Sequence, residues 1–151
     1  MENSINFKTK FGWVFLREKK NLITEIKFGK KKTIGKKSLN LINAKKKINL
    51  FFSNKINKIS LKHKIVGSKL EKKVWNKIKK IKKGSVKSYG QIANELKISP
   101  RYVGKICGKN QILLIVPCHR VVRADKNIGG FSSIGGERLK KKLLRFEEKV
   151  F

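Results

Sequence analysis

The sequence predicts an α+β protein, in which a small N-terminal antiparallel β-sheet with one helix precedes a mostly helical C-terminal domain. Apolar and polar residues alternate over much of the first 28 positions, as in half-buried strands. After Ser68, apolar residues recur every three or four positions, as in helices that bury one face. The 151 residues suffice for one ordinary domain or two small ones, and 39% apolar residues can form a core. We expect a β-rich structural domain over residues 1–63 and a second domain over residues 68–151.

Three strands and one helix are predicted in the first domain. The strand-like segments alternate in polarity or are apolar throughout; they are residues 7–11, 13–16 and 22–28. Gly12 separates the first two, and Gly29 ends the third. Residues 39–53 then carry apolar side chains at helical spacing, which favours a helix.

The second domain is predicted to begin and end with a helix. Ser68 and Glu71 have the spacing of a capping box, in which each side chain satisfies a backbone N–H group of the other residue. The apolar stripe that follows predicts a helix closed by Gly84. Residues 112–116 form an apolar run typical of a buried strand, and residues 137–148 again show helical spacing.

Two short helices joined by a tight turn are predicted between these elements. Ser88 is placed to cap a helix over residues 89–96. Ser99 and Pro100 open the next helix, because serine is favoured at the N-cap and proline at the first helical position. This arrangement is typical of a helix-turn-helix.

The chain is strongly basic, with 40 Lys and Arg against 9 Asp and Glu and a net charge of +31. Such a charge favours a polyanionic partner, above all nucleic acid. The alternative is a Lys-rich composition that covers every solvated surface, because the charge is spread evenly along the chain. The sequence leaves both interpretations open.

Composition also excludes several classes of protein. Two cysteines, Cys107 and Cys118, cannot form a disulfide framework, so we expect a reducing compartment: the cytoplasm, or the nucleus in a eukaryote. Two Cys and two His at these spacings cannot form a four-ligand zinc site, and no metal is expected. No apolar run is long enough for a bilayer and the N-terminus lacks a signal-peptide pattern, so no membrane partner is expected.

The strongest chemical signal lies in residues 117–122. A thiol at the end of an apolar run, beside His119, is placed for activation as a thiolate. Glu147 stands at helical spacing from apolar residues of the last helix, so its carboxylate leans toward the buried side and needs a partner such as His119. A Glu–His–Cys relay follows by analogy with catalytic triads. The alternative is that Cys118 is a structural cysteine beside a satisfied histidine.

Residues 84–147 resemble the O6-alkylguanine-DNA alkyltransferase family, also called methylated-DNA–protein-cysteine methyltransferases. The string Pro-Cys-His-Arg-Val at residues 117–121 matches the core motif of the family in full. Residues 84–93 resemble the segment that leads into the family's helix-turn-helix, and residues 99–104 resemble its recognition helix. Asn110 stands eight residues before the cysteine, where the family keeps an asparagine.

The resemblance implies a role for Cys118 and for four residues around it. Cys118 would accept an alkyl group from O6 of guanine, and its thioether product would make each molecule react once. His119 would take the thiol proton through a water, and Glu147 would orient the ring. Asn110 would brace the loop, with a helix C-cap as the alternative. Tyr89 would donate a hydrogen bond to the departing guanine, with an exposed ring at a helix start as the alternative.

The resemblance also implies that the partner is double-stranded DNA containing O6-alkylguanine, which must be flipped out of the stack. Arg101 would fill the vacated space, although a phosphate contact is the alternative. Gly104 would permit close approach of the DNA backbone. Lys105 and Lys109 would contact phosphates without reading sequence.

The same resemblance implies an alkyl pocket lined by Val116, Val121, Phe131 and Ser132. Residues 132–136 make the loop before the last helix two residues longer than usual, which bears on the size of that pocket. No cofactor is implied, and a monomer is expected. Cys107 falls inside the predicted recognition helix, where we expect it to pack rather than react.

Two other classes of function are alternatives to alkyl transfer. A non-enzymatic helix-turn-helix regulator or lesion-sensing protein would bind DNA without thiol reactivity. A thiol hydrolase would use the same Cys, His and Glu residues to turn over esters or amides. The presence of Cys118 in the full motif favours the alkyltransferase over both.

Overall fold

The computed structural model describes residues 1–124 and 136–148, which form two compact units. The first unit contains Met1–Ile65 and Gln111–Ile115, and the second contains Val66–Asn110 and the described residues from Val116 onward. The predicted α+β fold class is confirmed, with a three-stranded antiparallel sheet followed by helices. Phe131 and Ser132, both expected to line a pocket, lie outside the described residues.

The sheet of the first unit consists of β1 (Glu2–Thr9), β2 (Gly12–Lys19) and β3 (Leu22–Phe28), paired in that order. The first strand was predicted over residues 7–11, which is wrong at both ends. Asn3 and Ser4 are buried in β1, where their side-chain oxygens accept the N–H groups of Lys36 and Ile34 at 3.0 and 2.8 Å. These polar residues break the alternation by which a strand is recognised in sequence.

Helix α1 (Leu39–Phe52) agrees with the helix predicted over residues 39–53. Ser38 caps it by accepting the N–H of Leu41 at 3.2 Å, and the same serine hydroxyl donates to the carboxylate of Glu18 on β2. Glu18 is buried, so this bond supplies part of the hydrogen bonding that a buried carboxylate requires. The start of the helix is thus tied to the sheet of its own unit.

Residues 112–116 were predicted to form a buried strand, and only their burial is found. Ile112 makes an isolated bridge to Ile26 of β3, and the N–H of Leu113 donates to the Ile26 carbonyl at 3.1 Å. Leu114 then adopts a φ of 74°, in the left-handed region, which ends any extended run. These bonds place Gln111–Ile115 in the first unit, whereas the sequence had assigned all of residues 68–151 to the second.

The second unit begins with α2 (Lys69–Lys79), whose capping box is present as predicted. The Ser68 hydroxyl accepts the Glu71 N–H at 3.1 Å, and the Glu71 carboxylate accepts the Ser68 N–H at 2.8 Å. The helix ends at Lys79 rather than at Gly84, which lies five residues beyond it at a φ of 87°. Ile81 is buried past the helix end, so the apolar stripe outlasts the helical backbone.

The helix-turn-helix consists of α3 (Tyr89–Leu96) and α4 (Pro100–Cys107), with the predicted caps. The hydroxyls of Ser88 and Ser99 accept the third backbone N–H of their helices at 3.0 and 3.1 Å. The last helix, α5 (Gly136–Glu148), begins one residue before its predicted start. Within residues 1–124 and 136–148, no helix is both long and apolar enough to cross a membrane.

Two short strands position the functional segments of the second unit. β4 (Lys87–Ser88) pairs in parallel with β5 (Val121–Val122), with Lys87 opposite Val121 and Ser88 opposite Val122. β4 leads directly into α3, and β5 directly follows the segment that contains Cys118. This pairing therefore holds the first turn of α3, including Tyr89, beside the end of the cysteine segment.

Candidate active site

Cys118 lies in a tight double turn rather than in a strand. Pro117 has φ −81° and ψ 67°, the geometry of an inverse γ-turn, and the Cys118 N–H donates to the Val116 carbonyl at 2.8 Å. A 3-10 turn follows over Cys118–Arg120, in which the Arg120 N–H donates to the Pro117 carbonyl at 2.9 Å. The turn replaces the alternating orientation of a strand, so neighbouring side chains reach different partners inside the unit.

Asn110 binds the turn and the sulfur at the same time. Its side-chain amide donates to the Val116 carbonyl at 2.8 Å and to Cys118 Sγ at 3.3 Å, and the residue is buried. Its backbone N–H donates to the Cys107 carbonyl at 3.1 Å, so it also continues the end of α4. The C-cap of α4 is Gly108, so the C-cap interpretation of Asn110 is wrong, and its side chain instead holds the backbone before the cysteine. A donor on the sulfur favours the thiolate form.

His119 and Glu147 meet in the interior of the second unit. The His119 Nε2 lies 2.8 Å from the Glu147 Oε2, and the side chains are 2% and 1% exposed. The 3-10 turn directs the imidazole toward α5, and Glu147 occupies the inward face of that helix. The structure therefore brings these two predicted site residues together.

Arg120 is a third member of this cluster, and sequence reasoning assigned it no role. Its Nε and Nη2 donate to the two oxygens of Glu147 at 2.9 Å each, and its Nη1 donates to the Ile81 carbonyl at 2.7 Å. This forked geometry is specific to arginine, because lysine cannot donate two parallel bonds. The available signal was an arginine within a buried motif of a chain that otherwise favours lysine.

The buried cluster sets the protonation states of its members. Burial raises the pKa of Glu147, but the hydrogen bonds from His119 and Arg120 outweigh it and lower that pKa from 4.5 to about 2. Burial lowers the pKa of His119, against the opposing effect of Glu147. At neutral pH the imidazole is therefore neutral beside an ionised carboxylate. Since a carboxylate only accepts, the proton resides on Nε2, and Nδ1 is the basic nitrogen.

The sulfur of Cys118 has two further neighbours, Cys107 and Lys140. The Cys107 thiol and complete burial raise the pKa of Cys118 well above its ordinary value, whereas the Asn110 amide and the Lys140 ammonium lower it. The Cys118 thiol in turn lowers the pKa of Cys107. The resting Cys118 is thus a thiol.

Lys140 is fully buried on α5 and contacts Tyr89. Its Nζ donates to the Tyr89 hydroxyl at 3.2 Å and lies 5.4 Å from the ring centroid. Burial lowers the pKa of Lys140 to about 8, and nearby Cys107 and Cys118 act in the opposite direction. Burial, and then the two cysteines, raise the pKa of Tyr89 to about 12. A cation and a neutral phenol thus lie close to the two thiols.

Most of the second unit matches a known protein family. Residues 69–149, more than half of the chain, match the family described as "6-O-methylguanine DNA methyltransferase, DNA binding domain". The chain belongs to this family. The matched region contains Tyr89, the helix-turn-helix, the Cys118 turn and Glu147.

Similar proteins in archaea carry the corresponding name. A methylated-DNA–protein-cysteine methyltransferase of Sulfolobus acidocaldarius is 50% identical over 76 residues, which cover 50% of this chain and 47% of that protein. The protein of the same name in Archaeoglobus fulgidus is 38% identical over 101 residues, 64% of this chain and 68% of that protein. The chain thus spans about half the length of the Sulfolobus relative and about two thirds of the Archaeoglobus relative.

Solved structures share the fold over almost the whole chain. Mycobacterium tuberculosis OGT in complex with DNA has a TM-score of 0.84 at 24% identity, and the match covers 97% of this chain and 93% of that one. The O6-methylguanine-DNA methyltransferase of Pyrococcus kodakaraensis has a TM-score of 0.60 at 24% identity, over 97% and 99% of the two chains. At this identity the likeness shows the fold alone.

Helix α4 contains the residues predicted to belong to a recognition helix. Arg101 and Lys105 are exposed, as the sequence analysis expected for DNA contacts. Lys109 is ion-paired with Glu71 at 2.9 Å, so it is already engaged by a carboxylate. A Cβ on Gly104 would lie 3.8 Å from the Tyr89 ring, an ordinary contact. Packing inside the unit therefore does not require glycine at this position.

The predicted pocket residues are only partly described. Val116 and Val121 flank the Cys118 turn on either side and are both fully buried. Their side chains belong to the core of the second unit, and Val116 also supplies the carbonyl that Asn110 holds. Phe131 and Ser132, the other two members of the predicted lining, fall in the part of the chain that the structure does not describe.

Replacing Glu147 by glutamine is expected to destabilise the protein by about 3 kcal/mol at pH 7. The substitution leaves the buried Arg120 guanidinium without its counter-ion, and breaking a buried pair has a cost of this size. Because the folded pKa of Glu147 is about 2 against an ordinary 4.5, its contribution is complete above pH ~4.5 and disappears as the pH falls toward ~2. Urea unfolding followed by circular dichroism at pH 7 and between pH 5 and 2 measures both effects.

Glu148→Gln is the matched control, since Glu148 is exposed on the same helix. It is expected to unfold like the wild type. Equal stability of the two variants, or an unchanged acid dependence in Glu147→Gln, would contradict the assignment.

Replacing Lys140 by methionine is expected to slow the alkylation of Cys118 by iodoacetamide at pH 7. The reason is loss of an ammonium that favours the thiolate. The rate difference is expected to shrink above pH ~8, where Lys140 itself loses its proton. Lys141→Met, at an exposed position on the same helix, is the control and is expected to keep the wild-type rate. The same rate in both variants would remove Lys140 from the electrostatics of the sulfur.

Proposed function

We propose that this protein repairs alkylated DNA by transferring an alkyl group, chiefly methyl, from O6 of guanine to Cys118 in a single turnover. The observation that carries the proposal is the setting of Cys118 within the family match: a buried sulfur that accepts from Asn110, beside the Lys140 cation. The names of the archaeal relatives support the same reaction.

The transfer is a displacement at the alkyl carbon. The Cys118 thiolate attacks that carbon, the new S–C bond forms as the C–O6 bond breaks, and the electron pair of that bond stays on the guanine. The product is a thioether at Cys118 and an unmodified guanine in the DNA. A thioether has no hydrolytic route back to the thiol, so one protein molecule removes one alkyl group.

His119 is the proposed acceptor of the thiol proton. Its neutral imidazole carries a proton on Nε2, bound to Glu147, and presents Nδ1 as the base. We propose that a single water passes the proton from Cys118 to this nitrogen, because the hydrogen bond that the structure shows at the sulfur comes from Asn110 and not from the imidazole. The ionised Glu147 then stabilises the imidazolium that forms.

Tyr89 is the proposed donor to the departing guanine. Its hydroxyl accepts from Lys140, which leaves the phenolic proton for the base. With a pKa of about 12 the phenol stays protonated, so it stabilises developing negative charge by a hydrogen bond rather than by losing its proton. Lys140 adds a positive charge behind the hydroxyl and strengthens this donor.

The proposed DNA-binding surface is the outer face of α4. Gly104 costs the helix roughly 1 kcal/mol relative to alanine, and packing does not require it, which supports close approach of the DNA backbone at this position. Exposed Lys105 would contact a phosphate, and Lys109 would do so after leaving Glu71. Arg101, in the first turn of the helix, would occupy the space that the flipped guanine vacates.

Four residues are proposed to border the space for the alkyl group: Val116, Val121, Phe131 and Ser132. The protein acts as a monomer on double-stranded DNA without a cofactor. Its substrate requires that it work where the genome is, in the cytoplasm of a prokaryote or the nucleus of a eukaryote.

The transfer is tested by mixing the protein with duplex DNA that contains one O6-methylguanine and measuring intact and tryptic masses. We expect one added CH2 per protein, never more under excess DNA, on the peptide of residues 110–120. Cys118→Ala is expected to bind the duplex without gaining mass, and Cys107→Ala is the matched control that still gains one CH2. Tight binding by the wild type without mass gain would favour a lesion sensor, and turnover of an ester or amide would favour a hydrolase.

Replacing Arg101 by alanine is expected to slow methyl transfer from duplex DNA by about tenfold or more, equivalent to ~1.4 kcal/mol of support for the extruded base. Reaction with free O6-methylguanine base is expected to be unchanged, because no extrusion is needed. Lys105→Ala, another exposed cation on α4, is the control; it should weaken binding to any duplex and reduce its salt dependence. Single-turnover rates on both substrates measure the difference, and equal losses on duplex and base would exclude a flipping role for Arg101.

A further inference from the structure

The first unit supplies no residue to the proposed reaction, yet its surface is almost free of negative charge. Residues 1–65 contain 18 Lys and Arg against three Asp and Glu. Two of the three carboxylates, those of Glu18 and Glu25, are buried and accept hydrogen bonds from side chains of the same unit. Of the acidic residues in this fully described unit, only Glu2 is exposed. An anion that approaches the unit therefore meets cations with almost no repulsion.

One lysine-rich stretch of this surface, residues 30–37, has its backbone fixed beside β1; we call it the lysine segment. The Asn6 side-chain amide donates to the Lys31 carbonyl at 2.6 Å, and its oxygen accepts the Lys31 N–H at 3.1 Å. The Ser4 N–H donates to the Ile34 carbonyl at 2.9 Å, and the Ser4 hydroxyl accepts the Ile34 N–H at 2.8 Å. β1 is an edge strand of the sheet, and these bonds hold the lysine segment along it.

Gly35 lets the lysine segment approach β1 closely. It has a φ of 65°, in the left-handed region, and a Cβ there would collide with the Asn3 side chain and lie 2.6 Å from the Glu2 carbonyl oxygen. The next residue, Lys36, donates its N–H to the Asn3 side-chain oxygen at 3.0 Å. Asn3 and Ser4 are buried polar residues of β1, so the strand uses buried hydrogen-bonding groups to hold a segment that is itself exposed. The position of the segment is thus determined by specific contacts.

The side chains of the lysine segment differ in what they contact. Lys31 Nζ binds the buried Glu25 carboxylate at 2.7 Å and so serves the unit itself. Three others are exposed and make no hydrogen bond or ion pair through their side chains within residues 1–124 and 136–148: Lys32, Lys36 and Lys37. We call them the three unpaired lysines. Binding of an anion by these ammonium groups breaks no internal ion pair.

Charge alone does not single out this segment, because lysine is frequent throughout the chain. Two further features do. Its backbone is already ordered, so less conformational entropy is lost on binding than in a flexible loop. Residues 26–70 contain no Asp or Glu, so no carboxylate close in sequence competes for the ammonium groups. The alternative is that the segment only covers the edge of β1 against pairing with another chain, which requires no ligand.

We propose that the lysine segment is a second DNA-binding surface, separate from α4, whose three unpaired lysines contact phosphates of a duplex without reading its sequence. DNA is the polyanion favoured here because residues 69–149 of the same chain match a family described as a DNA-binding domain. The inference rests on DNA being the partner of the protein, and it does not depend on methyl transfer. The first unit thereby contributes affinity to the complex.

The proposal is tested by replacing Lys32, Lys36 and Lys37 together by glutamine in the whole protein. The control replaces three other exposed lysines of the first unit that also make no side-chain contact within the described residues: Lys46, Lys55 and Lys58. Both variants lose three positive charges. Affinity for an unmodified duplex is measured by fluorescence anisotropy over a range of salt concentrations. The first variant is expected to bind about tenfold or more weakly at low salt, with a salt slope smaller by roughly two to three, and the control is expected to stay near the wild type.

A second measurement uses the wild type alone. Lysines are acetylated by an amine-reactive ester with and without the unmodified duplex, and mass spectrometry reads each position. We expect the duplex to protect the three unpaired lysines and to leave Lys46, Lys55 and Lys58 reactive.

Four results would overturn the proposal. Equal loss of affinity in the two triple variants would assign the effect to overall charge, and wild-type affinity in the first variant would leave the segment only as a cover for β1. Absence of binding to the unmodified duplex would remove the surface altogether. Protection of the three unpaired lysines by vesicles of anionic lipid but not by duplex would assign them to a lipid surface. A wild type that binds DNA through the segment but gains no CH2 from methylated duplex would instead overturn the proposed function and support this inference.

Discussion

The buried carboxylate of Glu147 is the interaction on which the arrangement of the site depends. An ion removed from water without compensation costs several kcal/mol or more, and here the compensation comes from a bidentate Arg120 and from His119. Arg120 also binds the Ile81 carbonyl, beyond the end of α2. One carboxylate therefore joins α5 to the cysteine turn and to the segment after α2, and it selects the tautomer of the histidine.

The polar groups around the sulfur act on its charge. Asn110 and Lys140 lower the cost of a thiolate in a buried place, which is what attack on an alkyl carbon requires.

Sequence reasoning predicted those parts of the fold that have local causes. The helices capped by Ser68, Ser88 and Ser99 were found with their predicted caps, because capping depends on residues only three positions apart. Glu147 was placed inward from the helical spacing of its apolar neighbours, and the structure brings it to His119. The family motif identified the segment that contains Cys118, but no role was predicted for the adjacent Arg120.

The parts that sequence reasoning missed depend on contacts between distant residues. Lys140 is one lysine among many in a basic chain, and nothing local distinguishes the fully buried one from those in solvent. The effect of Cys107 on the pKa of Cys118 depends on how α4 packs against the turn. Residues 112–116 look like a strand because they are apolar, but their backbone follows the edge of β3 for one bridge and then turns at Leu114.

A double-mutant cycle tests whether Glu147 acts on Cys118 through His119. Single-turnover methyl transfer from duplex DNA would be measured in the wild type, His119→Gln, Glu147→Gln and the double variant. Conditions would keep all four folded, and rates would be normalised to the total CH2 accepted. The double variant is expected to be no slower than His119→Gln alone, because Glu147 has no route to the sulfur once the imidazole is gone. Losses that multiply in the double variant would show that Glu147 acts independently of His119.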